Sequence, residues 1–107
     1  MARTLIHPGV FLADEISALS ITPTQLAAEL HVSPNRIYQI LAGKRALTAD
    51  TALRLSQWLG TSAEMWINLQ KLYELRMAEQ KVGAEIRQQV QRREAAGGEV
   101  ILGYANL

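Results

Sequence analysis

Apolar residues recur at helical spacing along most of the chain, and each run ends at clear stop signals. Leu12, Ile16 and Leu19 share one face of a helix that Pro8 can open in its first turn. After Ser20 and Ile21 comes Thr22-Pro23-Thr24-Gln25, the pattern of a capping box: a threonine cap, a proline at the first helical position and a glutamine reaching back. This second helix ends near Leu30. Ser33-Pro34 repeats the cap-plus-proline start for a third helix running to Ala42, which Gly43 can end in a left-handed conformation. Thr48 caps a fourth helix through Leu59, with Asp50 in the first turn, where the helix dipole favours a negative charge. Gly60 stops it, and Thr61 with Glu64 forms another capping box that opens a fifth helix.

The fifth helix begins with a broad apolar stripe of Met65, Trp66, Leu69, Leu72 and Tyr73, enough to close a core. Past Met77 the stripe thins to Ala78, Val82, Ile86 and Val90 among polar neighbours. Continued to Ala96 it would far exceed the roughly three turns usual in globular domains. Gly83 marks a candidate kink or break, and Gly97-Gly98 a stop. The segment Val100–Tyr104 that follows has the composition of an edge strand. No internal repeat or low-complexity segment appears.

Composition narrows the class. With 107 residues, 49% of them hydrophobic, the chain is long enough to bury a core, and one domain is expected. No run approaches the roughly 18 apolar residues of a membrane span. One arginine before Pro8, without a long apolar core, does not make a signal peptide. There are no cysteines, which excludes disulfides and thiol catalysis and fits a reducing, cytoplasmic setting. His7 and His31 stand far apart without acids at ligand spacing, so no metal or other cofactor is expected. Ser, His and Asp occur in no nucleophile–base pattern, so an enzymatic reading is poor. Net charge is only +1, but it is unevenly spread: no Asp or Glu lies between Glu29 and Asp50, whereas Arg36, Lys44 and Arg45 do. A basic stretch in a near-neutral protein is a weak nucleic-acid signal on its own.

The third helix sharpens that signal. On a wheel at about 100° per residue, Ile37, Ile40 and Leu41 form the buried stripe. Asn35, Gln39 and Ala42 lie opposite, and Arg36 and Tyr38 occupy the shoulders. Asn and Gln can pair bidentately with adenine in the major groove, and Arg with guanine. Ala42 permits close approach. Ser33, Lys44 and Arg45 bracket the helix with groups suited to phosphate oxygens, and the second helix offers free N–H groups beside Thr24 and Gln25. A helix-turn-helix that lays its second helix in the major groove needs this arrangement. Solvated polar side chains alone would explain the wheel equally well. The two proline-capped starts, the tight turn and the acid-free stretch favour DNA.

Other residues read as structural. Trp58 and Trp66 are expected in the core or in a contact with a second copy. Arg54 is expected to form an ion pair, with Glu15 as a candidate partner. Asn68 and Gln70 are expected in structural hydrogen bonds, and Arg87, Arg92 and Arg93 on a solvated face.

His7-Pro8-Gly9, Gly43-Lys44-Arg45, Leu47-Thr48-Ala49-Asp50-Thr51-Ala52 and Trp66-Ile67-Asn68-Leu69-Gln70, in this order, resemble the HigA/VapI family of antitoxins, a branch of the phage-repressor-like (Cro/XRE-like) helix-turn-helix proteins. The resemblance covers about His7 to Leu75. It implies an all-α, five-helix, lambda-repressor-like domain over residues 1–77; residues 78–107 lie outside the shared pattern and are read from their own apolar stripe as a C-terminal helical extension. It also implies a homodimer that binds operator DNA, represses its own operon and neutralises a HigB/RelE-like mRNA-cleaving toxin. The free-standing regulator without a toxin is the alternative. The DNA-contacting set is then Thr24, Gln25, Ser33, Asn35, Arg36, Tyr38, Gln39, Lys44 and Arg45; Trp66, Val82, Ile86 and Val90 are the candidate contacts to a second copy or partner. The turn position often held by glycine in the family is His31 here.

Overall fold

Residues 5–94 are described by the computed structural model. Among them the chain forms five helices and no strand: α1 (Pro8–Ala18), α2 (Pro23–Leu30), α3 (Pro34–Leu41), α4 (Ala49–Leu59) and α5 (Ala63–Gln89). The edge strand expected at residues 100–104 lies outside the described residues.

The helix starts follow the sequence closely. The Thr22 hydroxyl accepts from Gln25 N–H at 3.1 Å while Gln25 Oε1 accepts from Thr22 N–H at 2.8 Å, so the capping box is complete. Ser33 caps α3 by accepting from Arg36 N–H, and Thr48 caps α4. The start of α5 differs from expectation. Ser62, not Thr61, is the cap and accepts from Met65 N–H at 2.9 Å. Thr61 is thereby freed for a different bond: its hydroxyl accepts from the Trp66 indole at 2.9 Å.

Three helices end in the same way. After α1, α2 and α3 the chain turns through a left-handed residue, namely Ser20, His31 and Gly43, with φ of 56°, 59° and 72°. At each, paired backbone bonds reach back to the last turn, as in His31 N–H to Ala28 O and Val32 N–H to Ala27 O. This double closure satisfies carbonyls that a helix end otherwise leaves orphaned.

The core is one cluster in which Leu12 and Ile16 of α1 meet Leu26, Ala27 and Leu30 of α2, Ile37 and Ile40 of α3, Ala52 and Leu55 of α4 and Trp66 of α5. Leu47 joins them from the α3–α4 loop. Leu19, expected on the α1 apolar face, is exposed instead: the helix has ended and the turn at Ser20 carries it outward. Trp66, offered above as a contact with a second copy, is only 1% exposed, so its role is in the core. Trp58 is half-buried against the cluster and donates its indole N–H to Glu29 at 3.2 Å.

Helix α5 continues through Met77 and Gly83 without interruption and ends at Gln89, short of Ala96. Gly83 does not break it. The carboxylate of Glu79, which pairs with Arg87, lies over the space that a Gly83 Cβ would occupy. At about 1.5 Å per residue, 27 residues make a rod of about 40 Å, and the molecule measures 57 × 26 × 23 Å. Beyond Met77 this rod presents Ile86 and Val90 to solvent. No helix among the described residues is long and apolar enough to cross a membrane.

Candidate nucleic-acid interface

Helix α3 is the most amphipathic segment of the fold. Ile37 and Ile40 are fully buried, and Leu41 packs on the core edge. The outward side carries Asn35, exposed, and Tyr38, 49% exposed, with Gln39 half-buried beside them. These three side chains occupy one convex strip. Tyr38 lies 3.4 Å by its hydroxyl from the Thr24 hydroxyl at the start of α2. Thr24 and Gln25 therefore border the strip on one side. Ser33 stands at its N-terminal end, and Lys44 and Arg45, both exposed, follow its C-terminal end. The structure thus gathers Thr24, Ser33, Asn35, Tyr38, Gln39, Lys44 and Arg45 around a single helix.

Arg36 is the member whose side chain faces elsewhere. Its guanidinium donates to Asp50 Oδ1 at 2.8 Å and to the Thr51 hydroxyl at 3.5 Å, which turns it toward α4. Asp50 also receives Arg54 Nε at 2.7 Å, and Arg54 Nη1 donates to the backbone carbonyl of Leu30 at 2.8 Å. The chain Arg36–Asp50–Arg54–Leu30 O ties α3, α4 and the end of α2 together. Hydrogen bonds from Arg54 and Arg36 hold the Asp50 carboxyl below its usual range. The partner of Arg54 is therefore Asp50, one turn earlier on its own helix, and not Glu15. The sequence carried a signal for this pair, since Asp50 and Arg54 have i,i+4 spacing. Nothing local announced Arg36, fourteen residues away.

The loop carrying Lys44 and Arg45 is fixed from below. Gly43 N–H bonds to Ile40 O and Lys44 N–H to Gln39 O, which closes α3. Leu47 N–H donates to Gln70 Oε1 of α5 at 2.9 Å, and Gln70 Nε2 donates to Glu74 at 2.9 Å. Gln70, nearly fully buried, is thus the structural hydrogen-bonding residue expected of it. Those contacts, Gln70 first and Lys71 next, lower the Glu74 carboxyl.

His7 completes the support. It is buried, caps α1 by accepting from Gly9 N–H at Nδ1 (2.9 Å), and meets the Tyr73 ring edge-on at 4.9 Å. Burial lowers its pKa, and a hydrogen bond to the Arg45 backbone opposes that shift. A ring that accepts a hydrogen bond at Nδ1 from Gly9 N–H must be unprotonated there, so the cap requires neutral His7. Gly9 itself presses on α3: a Cβ there would lie 2.1 Å from Ile40 O. Sequence reading placed Gly9 in a motif without seeing this contact, which joins residues 31 positions apart.

A helix-turn-helix family model matches residues 16–66. Virulence-associated protein I of Dichelobacter nodosus is 47% identical over 76 residues, which cover 70% of each chain. Among solved structures, an addiction module antidote protein of a HigA family from Coxiella burnetii is 43% identical, with a TM-score of 0.83 over 85% of this chain and all of the other. Pseudomonas aeruginosa antitoxin HigA, solved with the higBA promoter, is 36% identical, again with a TM-score of 0.83 over 85% of this chain and all of that one. The ordered motifs, the five-helix architecture and these likenesses agree: the chain belongs to the HigA/VapI family of helix-turn-helix antitoxins.

Proposed function

We propose that this protein is a dimeric, sequence-specific operator-binding antitoxin that represses its own operon and neutralises a HigB/RelE-like mRNA-cleaving toxin in the cytoplasm. The observation that carries the DNA half is the strip of Asn35, Tyr38 and Gln39, backed by the buried Ile37 and Ile40 and followed by exposed Lys44 and Arg45. Asn35 and Gln39 read base edges. Thr24, Gln25, Ser33, Lys44 and Arg45 hold the phosphate backbone and set the register. One short helix covers only a few base pairs, so two copies address half-sites about 34 Å apart. The outer part of α5, with Val82, Ile86 and Val90 on residues 78–107, supplies the pairing surface and, secondarily, a toxin contact. The promoter in the Pseudomonas aeruginosa HigA structure supports operator binding for this relative.

Binding to the operator region upstream of the gene tests the reading. Asn35→Ala and Gln39→Ala should each cost about 1–3 kcal/mol and relax preference at individual base pairs. Lys44→Ala or Arg45→Ala should weaken all sequences alike and flatten the salt dependence. Unchanged affinity and preference in Gln39→Ala would overturn the assignment of α3. Co-expression with the adjacent gene product tests the toxin half by rescue of growth.

A further inference from the structure

Arg36 has the chemistry of a strong DNA contact and the sequence position of one, yet it is bound to an acid. Between α3 and the Arg45 loop lies an open recess of about 250 Å³ lined by Arg36, Arg45, Ala46, Thr48, Asp50 and Thr51. The recess brings Arg36 beside Arg45, a phosphate-binding candidate. Its floor carries Asp50, the first acid after Glu29 in the sequence. Asp50 holds Arg36 at 2.8 Å and is itself held by Arg54, which is anchored on Leu30 O. The carboxylate is thus held by two arginines, and the Arg36 guanidinium by Asp50 and, at 3.5 Å, the Thr51 hydroxyl.

We infer that Asp50 is a specificity determinant of the reading face: by retaining Arg36 against α4, it withholds a mobile cation from the DNA and leaves discrimination to Asn35, Tyr38 and Gln39. A free guanidinium at this place would bind any phosphate within reach. It would raise affinity for every sequence and dilute the ratio between operator and bulk DNA. The pair instead links α3 to the start of α4 while contributing no sequence-independent contact. Arg36 and Asp50 are therefore positioning residues. The inference rests on the DNA-binding reading above.

The experiment compares the full-length wild type, Asp50→Asn, Arg36→Ala and the double variant on operator and on scrambled duplexes across a salt series. It is run at a temperature where circular dichroism shows all four folded. Asp50→Asn should bind scrambled DNA more tightly, with a salt slope steeper by roughly 0.9, which is about 8-fold near 0.1 M salt. Its preference for operator should fall by a similar factor. Arg36→Ala alone should leave the base preference intact. In the Arg36→Ala background, Asp50→Asn should have no further effect on slope or preference; with Arg36 in place, Asp50→Glu, which keeps the carboxylate, should behave as the wild type.

Two results would overturn the inference. The first is an Asp50→Asn gain that persists without Arg36, since simple removal of a negative charge would explain it. The second is loss of preference at one base pair in Arg36→Ala, since Arg36 would then read DNA directly. A wild type that binds no DNA at any salt would overturn the operator-binding reading itself, and Asp50's role with it. Wild-type operator binding with an unchanged Asp50→Asn would overturn only the role of Asp50.

Discussion

The inner and outer parts of α5 carry apolar residues at similar spacing and use them differently. From Ala63 to Tyr73 the helix lies against the domain: Trp66 and Gln70 are buried, Ile67 and Leu69 pack on the core and Tyr73 meets His7, whereas Leu75 and Met77 are already exposed. From Ala78 to Gln89 it projects, and Ile86 is 48% exposed, with Val90 just beyond at 65%. A single helix is continuous across the two parts. Periodicity therefore identifies an apolar face but does not say what covers it. For the outer part the proposed cover is a second copy; a narrow stripe does not hold a helix in water by itself.

The largest effect that would sharpen this contrast is on stability. Trp66→Ala should cost about 3–5 kcal/mol, read as a fall in urea midpoint. Ile86→Ala should change the stability of the monomer by no more than about 0.5 kcal/mol, yet weaken association in light scattering at micromolar concentration. An Ile86→Ala loss as large as that of Trp66→Ala in dilute protein would break the comparison.

Acid should act on the inner part. Unfolded histidine titrates near 6.5, and burial lowers that of His7 in the fold. Below 6.5 the unfolded chain takes up a proton that the folded chain refuses, so stability is full above this pH and declines as pH falls below it. The decline levels off beneath the folded value. His7→Gln should remove this step in urea titrations at different pH. Asp50 and Glu74, both lowered, cause a separate loss at lower pH, in the carboxylate range.

The smallest effect concerns the turns. His31→Gly should stabilise by about 0.5–1 kcal/mol, because glycine adopts φ of 59° without steric cost. A destabilised His31→Gly would mean that the imidazole contributes more than the turn strain costs.

Most of the fold was legible because its signals are local. The Thr22–Gln25 box, the Ser33 and Thr48 caps, and the stops at Gly43 and Gly60 each need only neighbouring residues. The cap of α5 was placed one residue early because Thr61 and Ser62 are adjacent hydroxyls; Trp66 decided between them by engaging Thr61. The exposed strip on α3 followed from the wheel alone. What the sequence hid is contact between distant residues: Arg36 with Asp50, Leu47 with Gln70, Gly9 with Ile40. Left-handed Ser20 was also hidden, since serine carries no expectation of positive φ.

The close approach of Gly9 to Ile40 has a consequence for retargeting. At Gly9 the backbone of α1 rests directly on the backbone of the last turn of α3, with no side chain between to absorb a change. Any residue larger than glycine at position 9 would push α3 away from α1 and move Asn35, Tyr38 and Gln39 as a block. If α3 lies in the groove as proposed, libraries meant to select new operator preferences should vary the outward positions, of which Asn35 is exposed and Gln39 half-buried, and leave position 9 as glycine. On the proposed mode of binding, a change there would alter every half-site at once, as a shift in the depth of a key alters every tooth.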